Sequence, residues 1–211
     1  MDEKGKQPLH RRLEEIKFTL PKESECKLIE IINDPIKLDS YKIDLFDQWK
    51  YIFNFYKKLL EEDRRESRFG TPLGYVFLGV LAEGLVKIIL FFDNPSEYLG
   101  QEPRKRTLGK LKDRLKKLLK DHKKESNETK IKELEDSLEL INSLRNNFIH
   151  FPFYYSDDFR FRWIFFQVFA YLLDKFSLWG YLDSSEVEFI KEAALKKPEG
   201  VSLLEVDLYE Q

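Results

Sequence analysis

An arginine and a histidine lie five residues apart near the end of an apolar stripe, in the segment LRNNFIHFP (144–152). The preceding residues carry apolar side chains three or four positions apart, the spacing of one face of a helix: Ile131, Leu134, Leu138 and Ile141. The next position on that stripe is Arg145. A charged side chain on a buried face is costly unless it is paired or faces a site. The pattern therefore marks Arg145 as a member of an ion pair or of a functional site.

A guanidinium and an imidazole together suit the chemistry of a phosphodiester. The planar fork of Arg145 matches two phosphate oxygens, and His150 can take or give a proton near neutral pH. Together they would promote attack of a ribose 2′-hydroxyl on its own phosphodiester, which needs no metal. Residues five apart point about 140° from each other in a regular helix, so the helix must end between them or a second subunit must contribute. Pro152 favours a helix end near His150, and Asn146 could orient the imidazole from one turn earlier.

A structural role explains the same residues. Arg145 would then extend to the edge of a helical bundle or pair with Glu83, and His150 would cap the end of its helix. The residues alone leave the structural and the catalytic interpretation open.

A second charged feature is the segment 104–124, which is rich in lysine and arginine and in which only Asp113 and Asp121 are acidic. Leucines on one side of this predicted helix leave a basic stripe on the other: Lys110, Lys112, Arg114, Lys116, Lys117 and Lys120. The stripe is a candidate RNA-binding surface, with Lys110, Arg114 and Lys117 as its leading residues. The alternative is a solvated face whose charge is offset by the acidic segment KELEDSLE that follows.

Helical periodicity along most of the chain predicts an all-α fold, an up-and-down helical bundle of four to six helices. The predicted helices are 44–67, 71–92, 108–122, 127–150, 159–179 and 184–197. Predicted N-caps are Thr71 (with Pro72 at the first helical position), Thr107, Asn127 or Glu128, and Ser184 or Ser185. The segment 93–100 is predicted as a break.

The two ends of the chain differ from this helical middle. Residues 1–40 are predicted as an extended N-terminal arm with a short strand at 27–32, and residues 198–211 as a tail with a strand-like stretch at 201–209. These two short terminal strands could pair. The predicted domain organisation is therefore arm 1–40, bundle 41–197 and tail 198–211.

Composition excludes several classes of protein. The single cysteine, Cys26, cannot form an internal disulfide and agrees with a reducing cytoplasm. The sequence has no glycine-rich phosphate loop and no spacing of metal ligands, so we expect no cofactor and no metal. The net charge of −2 gives no global attraction to nucleic acid. The apolar run 75–92 could be mistaken for a membrane span, but Glu83 and Lys87, four residues apart in its middle, favour a buried helix with a polar pair.

The residues Arg145 to His150, late in a predicted helix and followed by a strongly apolar one, resemble the signature of the HEPN superfamily. That signature is an arginine, usually followed by a polar residue, then four to six intervening residues and a histidine. Two further segments are similar to helices of such proteins, LAEGLVKIIL (81–90) and RTLGKL (106–111). The resemblance covers roughly residues 44–180.

The resemblance implies an all-α homodimer that sets two Arg/His motifs side by side, and many members are metal-independent endoribonucleases of toxin–antitoxin or phage-defence systems. By this resemblance Arg145 would hold the scissile phosphate, His150 would transfer a proton and Asn146 would position them, with Glu83 and Asn147 as supporting residues. The implied partner is RNA, and an antitoxin or regulatory protein is a further candidate.

Two points qualify what the resemblance implies. The subclass whose motif continues to a tyrosine two residues after the histidine is not matched, because that position is Pro152. Some relatives keep the bundle without nuclease activity. The alternative function is therefore a non-catalytic helical module that binds a nucleotide, RNA or a protein.

Overall fold

The structure is a computed structural model of the 211-residue chain, and it describes residues 28–66, 70–99, 107–121, 125–150 and 159–196. Within these ranges the side chains at 61–66, 70–73, 147–150 and 159–161 are not described. The chain divides into two compact units, Met1–Tyr41 and Lys42–Gln211. All regular structure in the described ranges is helical, which confirms the predicted all-α class.

The helices of the described ranges are labelled in chain order. They are α1 (Pro35–Glu66), α2 (Gly70–Asp93), α3 (Pro95–Leu99), α4 (Leu108–Asp121), α5 (Glu128–His150), α6 (Phe159–Lys175) and α7 (Ser184–Leu195), with a 3-10 turn at Trp179–Tyr181. The predicted helices agree with these bounds at most ends. Helix α1 begins earlier than predicted, and helix α5 is described as far as His150.

The predicted extended arm and its strand at 27–32 are wrong for the residues that the structure describes, because 28–32 and 35–40 are helical. The side chain of Asp34 accepts hydrogen bonds from the backbone N–H groups of Ile36 (3.1 Å) and Lys37 (3.3 Å), and Pro35 opens helix α1. This is the N-cap and N1 proline arrangement that favours a helix start. The isoleucines of this segment favoured a strand in the sequence, but isoleucine lowers helix propensity only slightly. Residues 1–27 and the tail 198–211 lie outside the described residues.

Helix α2 packs against α3, α4, α5 and α6 in the second unit. It is long and apolar enough to cross a membrane, but 67% of its most apolar window is buried inside the protein. It is therefore a core helix, as predicted. Helix α1 packs on it through Trp49, whose indole N–H donates to the carbonyl oxygen of Leu81 at 2.8 Å.

The helices around α2 bury the faces that periodicity predicts. Helix α4 buries one leucine face, consisting of Leu108, Leu111, Leu115, Leu118 and Leu119. Residues 163–173 of helix α6 are all buried, which confirms the deeply buried helix. Thr107 accepts the first backbone hydrogen bonds of α4, and the side chain of Asn127 accepts from the N–H of Thr129 at 2.9 Å, so the predicted starts of α4 and α5 are confirmed.

Three local details differ from the sequence predictions. The predicted break at 93–100 contains helix α3, which is capped by Asn94 through a 3.0 Å hydrogen bond from the N–H of Glu97. Helix α2 begins at Gly70, one residue before Thr71. Helix α7 is capped by Asp183 rather than by a serine, because Glu186 accepts a hydrogen bond from the N–H of Asp183 at 2.9 Å and completes a capping box.

Replacing Leu115 by alanine tests the assigned core. Leu115 is fully buried, so Leu115→Ala should lower the free energy of unfolding by about 2–5 kcal/mol. Lys117→Ala, on the exposed side of the same helix, should change it by less than about 0.5 kcal/mol. Urea denaturation followed by circular dichroism measures both values. Equal effects of the two substitutions would contradict the assigned face of α4.

Candidate functional site

Arg145 lies in the contact between helices α5 and α2. A Cβ atom added to Gly79 of α2 would approach the Cβ, Cγ and Cδ atoms of Arg145 to 2.8–2.9 Å, which is closer than side chains pack. The absence of a side chain at Gly79 therefore lets the stem of Arg145 lie directly against the backbone of α2. Sequence reasoning missed this glycine, whose one signal is a glycine inside an otherwise apolar helix.

Glu83 links Arg145 to a second cation. Its Oε2 atom accepts a hydrogen bond from Nη1 of Arg145, and its Oε1 atom accepts one from Nζ of Lys87, four residues further along α2. The Arg145 and Glu83 side chains are 24% and 12% exposed, so the cluster is largely but not fully withdrawn from solvent. The structural interpretation of Arg145 predicts the pair with Glu83, and the structure contains it.

The cluster of Glu83, Lys87 and Arg145 carries one excess positive charge. Within the described residues, Glu83 is the carboxylate that forms an ion pair with each of the two cations. The Nε atom of Arg145 is buried and has no hydrogen-bond partner within those residues. A partly buried site with two cations and one carboxylate is suited to binding an anion.

Electrostatics keep Glu83 ionised. Burial alone would raise the pKa of its carboxyl group, but the hydrogen bonds and positive charges of Lys87 and Arg145 outweigh it, and the pKa of Glu83 is lowered. A carboxylate in this state holds both cations at neutral pH.

The other residues of the predicted motif lie on the last turns of α5. Asn146 is exposed, and His150 is the last residue of the helix. Five residues of helix separate the Cα atoms of Arg145 and His150 by about 7.5 Å along the helix axis. The side chains of Asn147 and His150 fall outside the described side chains, so the convergence of His150 on Arg145 stays a prediction.

The basic stripe of α4 is largely neutralised by its neighbours. Its ion pairs are Lys112–Glu139 (2.8 Å), Arg114–Glu97 (2.7 Å), Lys116–Glu135 (2.8 Å) and Lys120–Glu128 (2.7 Å). The hydrogen bond to Glu135 raises the pKa of Lys116. Lys110 and Lys117 are exposed and have no ion pair with the described residues. These contacts agree with the alternative that α5 offsets the stripe, and they leave Lys110 and Lys117 as its accessible charges.

Comparison of the chain with protein-family models, curated proteins and solved structures finds no match. Among the described residues, no group of three or more His, Cys, Asp or Glu side chains is arranged to hold a metal ion. Within the described residues, the candidate site is the cluster of Glu83, Lys87 and Arg145.

Substituting Gly79 tests the contact that places Arg145. Replacing a glycine by alanine inside a helix normally raises the free energy of unfolding by about 0.5–1 kcal/mol. At Gly79 the new methyl group would collide with the stem of Arg145, so Gly79→Ala should destabilise the protein by about 1–3 kcal/mol. The matched control is Gly74→Ala on the same helix, where the nearest atom, Cε2 of Tyr56, would be at an ordinary 3.6 Å. Thermal unfolding of both variants measures the difference, and a stabilising Gly79→Ala would contradict the contact.

Removing the charge of Glu83 should destabilise the protein in a pH-dependent way. Glu83→Gln leaves two cations without their carboxylate and should cost about 1–3 kcal/mol at pH 7. Because folding lowers the pKa of Glu83, its stabilisation is fully present above the ordinary value of 4.5 and is lost as pH falls through the lower, folded-state pKa. The difference in the free energy of unfolding between wild type and Glu83→Gln should therefore become smaller below pH 4.5. Urea denaturation between pH 3 and 7 measures it, with the exposed Asp136→Asn as control, and a difference independent of pH would contradict the assignment.

Proposed function

We propose that this chain is a metal-independent endoribonuclease of the HEPN type, which acts in the cytoplasm as a toxin or phage-defence effector. The observation that carries the proposal is the partly buried cluster in which Arg145 and Lys87 share the single carboxylate of Glu83. Such a cluster attracts a phosphate group, and its member Arg145 lies on the same helix as the histidine of the Arg–His motif.

In the proposed reaction, the guanidinium of Arg145 binds the non-bridging oxygens of the scissile phosphate. Glu83 occupies one edge of that guanidinium and fixes its orientation, since Nη1 is its donor. The remaining Nη N–H groups of Arg145 and the charge of Lys87 stabilise the negative charge that grows on the phosphate oxygens during attack. In this proposal, the excess positive charge of the cluster stabilises the transition state.

His150 supplies the proton transfer in this proposal. The ribose 2′-oxygen forms a bond to phosphorus as its proton passes to the imidazole, and the bond from phosphorus to the 5′-oxygen breaks. The leaving 5′-oxygen takes up a proton from water and the imidazolium releases its proton to the solvent, which gives a 2′,3′-cyclic phosphate and a free 5′-hydroxyl. Asn146, one turn before His150, would orient the imidazole. The proposed assembly is a helical bundle of the HEPN type whose homodimer brings two such motifs together.

The ion pair of Arg145 with Glu83 also favours a second function. If the pair serves only to join α2 to α5, the chain is a non-catalytic HEPN-like module that binds a nucleotide, RNA or a protein partner. A quarter of the Arg145 side chain faces solvent, so a ligand could reach it, but an arginine at the edge of the bundle would have the same exposure.

Incubation of the purified chain with RNA in EDTA tests the proposal. The wild type should cleave, and His150→Ala should reduce the cleavage rate by about 10²–10⁴-fold, the usual contribution of a general acid or base. Arg145→Ala should abolish cleavage, and Arg145→Lys should restore little of it because an ammonium lacks the guanidinium fork. The control is Lys132→Ala, an exposed substitution on α5, and circular dichroism confirms folding.

The two functions predict opposite results for the histidine variant. A catalytic site loses activity in His150→Ala while its stability is unchanged. If wild type and His150→Ala are equally inactive and Arg145→Ala only lowers stability, the nuclease proposal is wrong and the non-catalytic module takes its place.

A further inference from the structure

The cluster of Glu83, Lys87 and Arg145 exposes its two cations to solvent more than its carboxylate. The side chains of Lys87 and Arg145 are 35% and 24% exposed, whereas that of Glu83 is 12% exposed. A ligand that approaches from solvent therefore meets an ammonium and a guanidinium, both of which are already bonded to one carboxylate.

The carboxylate of Glu83 is held in place within this cluster. Each of its two oxygens accepts a hydrogen bond from one of the cations, and the residue as a whole is buried on helix α2. The stem of Arg145 lies against Gly79, one turn earlier on the same helix, which fixes the other side of the contact. The positive charges of Lys87 and Arg145 also keep the pKa of Glu83 below its ordinary value, so the carboxylate is ionised at neutral pH. An anion that binds here shares the site with one fixed negative charge.

Charge balance in the cluster favours an anion with a single negative charge. Two cations and one carboxylate leave one excess positive charge among the described side chains. A phosphodiester carries one negative charge and neutralises that excess, whereas a terminal phosphomonoester carries about two above pH 7. Attraction to the cluster grows in proportion to the charge of the ligand, but the cost of removing water from an ion grows with the square of its charge. The second charge of a monoester is left without a partner, which is costly in a partly buried site.

We propose that the cluster selects a phosphodiester, with one negative charge, over a terminal phosphomonoester or a free nucleotide, with two or more, and that Glu83 determines this specificity. The inference rests on the proposed function and adds to it the class of phosphate that the site accepts. Internal linkages of RNA are then bound in preference to phosphorylated RNA ends and to free nucleotides. The fixed charge of Glu83 repels the additional negative charge of those ligands.

The same charge balance holds during the proposed cleavage reaction. When the 2′-oxygen attacks phosphorus, the phosphate gains a second negative charge, and the proton of the 2′-hydroxyl passes to His150 in the same step. The imidazolium formed in this way supplies the second positive charge. A terminal monoester carries its second negative charge before any proton is transferred, so no new positive charge accompanies it.

Two uridine ligands that differ by one methyl group and one charge test the proposed selection. The probes are 2′-O-methyluridine 3′-phosphate, which is a dianion at pH 8, and its methyl phosphate ester, which is a monoanion. Isothermal titration calorimetry at pH 8 and constant ionic strength measures both Kd values, under conditions in which an unperturbed imidazole is neutral. We expect the wild type to bind the diester about 5- to 10-fold more tightly than the monoester.

Charge substitutions within the cluster should move this preference in opposite directions. Glu83→Gln removes the repelling charge and should lower the preference for the diester about 5- to 10-fold, whereas Lys87→Gln removes an attracting charge and should raise it by a similar factor. The matched control is Asp136→Asn, which changes the net charge of the protein as Glu83→Gln does. Asp136 is exposed on α5, about 13.5 Å along the helix axis from Arg145, and its substitution should leave the preference unchanged. Circular dichroism confirms folding, and Lys87→Gln keeps the test decisive if Glu83→Gln does not fold.

Cleavage of RNA by the same protein separates failure of this inference from failure of the proposed function. If the wild type cleaves RNA but binds the monoester as tightly as the diester, the charge selection is wrong and the nuclease stands. A preference that neither Glu83→Gln nor Lys87→Gln changes also overturns the inference. If the wild type prefers the diester but cleaves no RNA, the proposed nuclease is wrong and the selection stands. If neither ligand binds, the cluster is not a phosphate site and the inference is overturned.

Discussion

The carboxylate of Glu83 sits in the contact between helices α2 and α5 and binds two cations at once. Removing water from Arg145 and Lys87 costs free energy, and their shared carboxylate offsets that cost. The carboxylate in turn stays ionised because both cations lower its pKa against the effect of burial. Each of the three side chains thus depends on the other two, and the placement of the proposed phosphate site depends on all of them.

Backbone geometry makes this cluster possible. Arg145 reaches Glu83 only because Gly79 leaves room for its stem against α2. The same helix meets α1 on another side, where the Trp49 indole bonds the carbonyl of Leu81. Helix α2 therefore holds α1 on one side and the guanidinium of Arg145 on another.

Local patterns in the sequence were enough to predict most of the helices. The leucine face of α4 and the apolar run of α6 follow from periodicity, because burial of one face dictates residue type along it. The Glu83–Lys87 pair was also predictable, since residues four apart share a helical face. The prediction of an extended segment is wrong for residues 28–32 and 35–40, because isoleucine disfavours a helix only weakly and Asp34 and Pro35 start one.

Contacts between distant parts of the chain were not predictable in the same way. Glu83 and Arg145 are 62 positions apart. Their opposite charges allow an ion pair to be proposed from the sequence, but its position in the fold does not follow from the sequence. The meeting of Gly79 with Arg145, and of Phe55 with Phe77, depends on how whole helices pack, for which the sequence carries no local signal. Packing between helices also changes the interpretation of the basic stripe. Lys112, Arg114 and Lys116, which the sequence leaves available for RNA, form ion pairs with α3 and α5.

The central claim is that the cluster around Arg145 binds a phosphate of RNA, and the Nε–H signal of this arginine reports on it most directly. In protein labelled with ¹⁵N-arginine, that signal is assigned by its loss in Arg145→Lys. On titration with a 2′-O-methyl oligoribonucleotide, the account predicts that the Arg145 signal shifts in a saturable way. A bound oligonucleotide that leaves the Arg145 signal unchanged would contradict it.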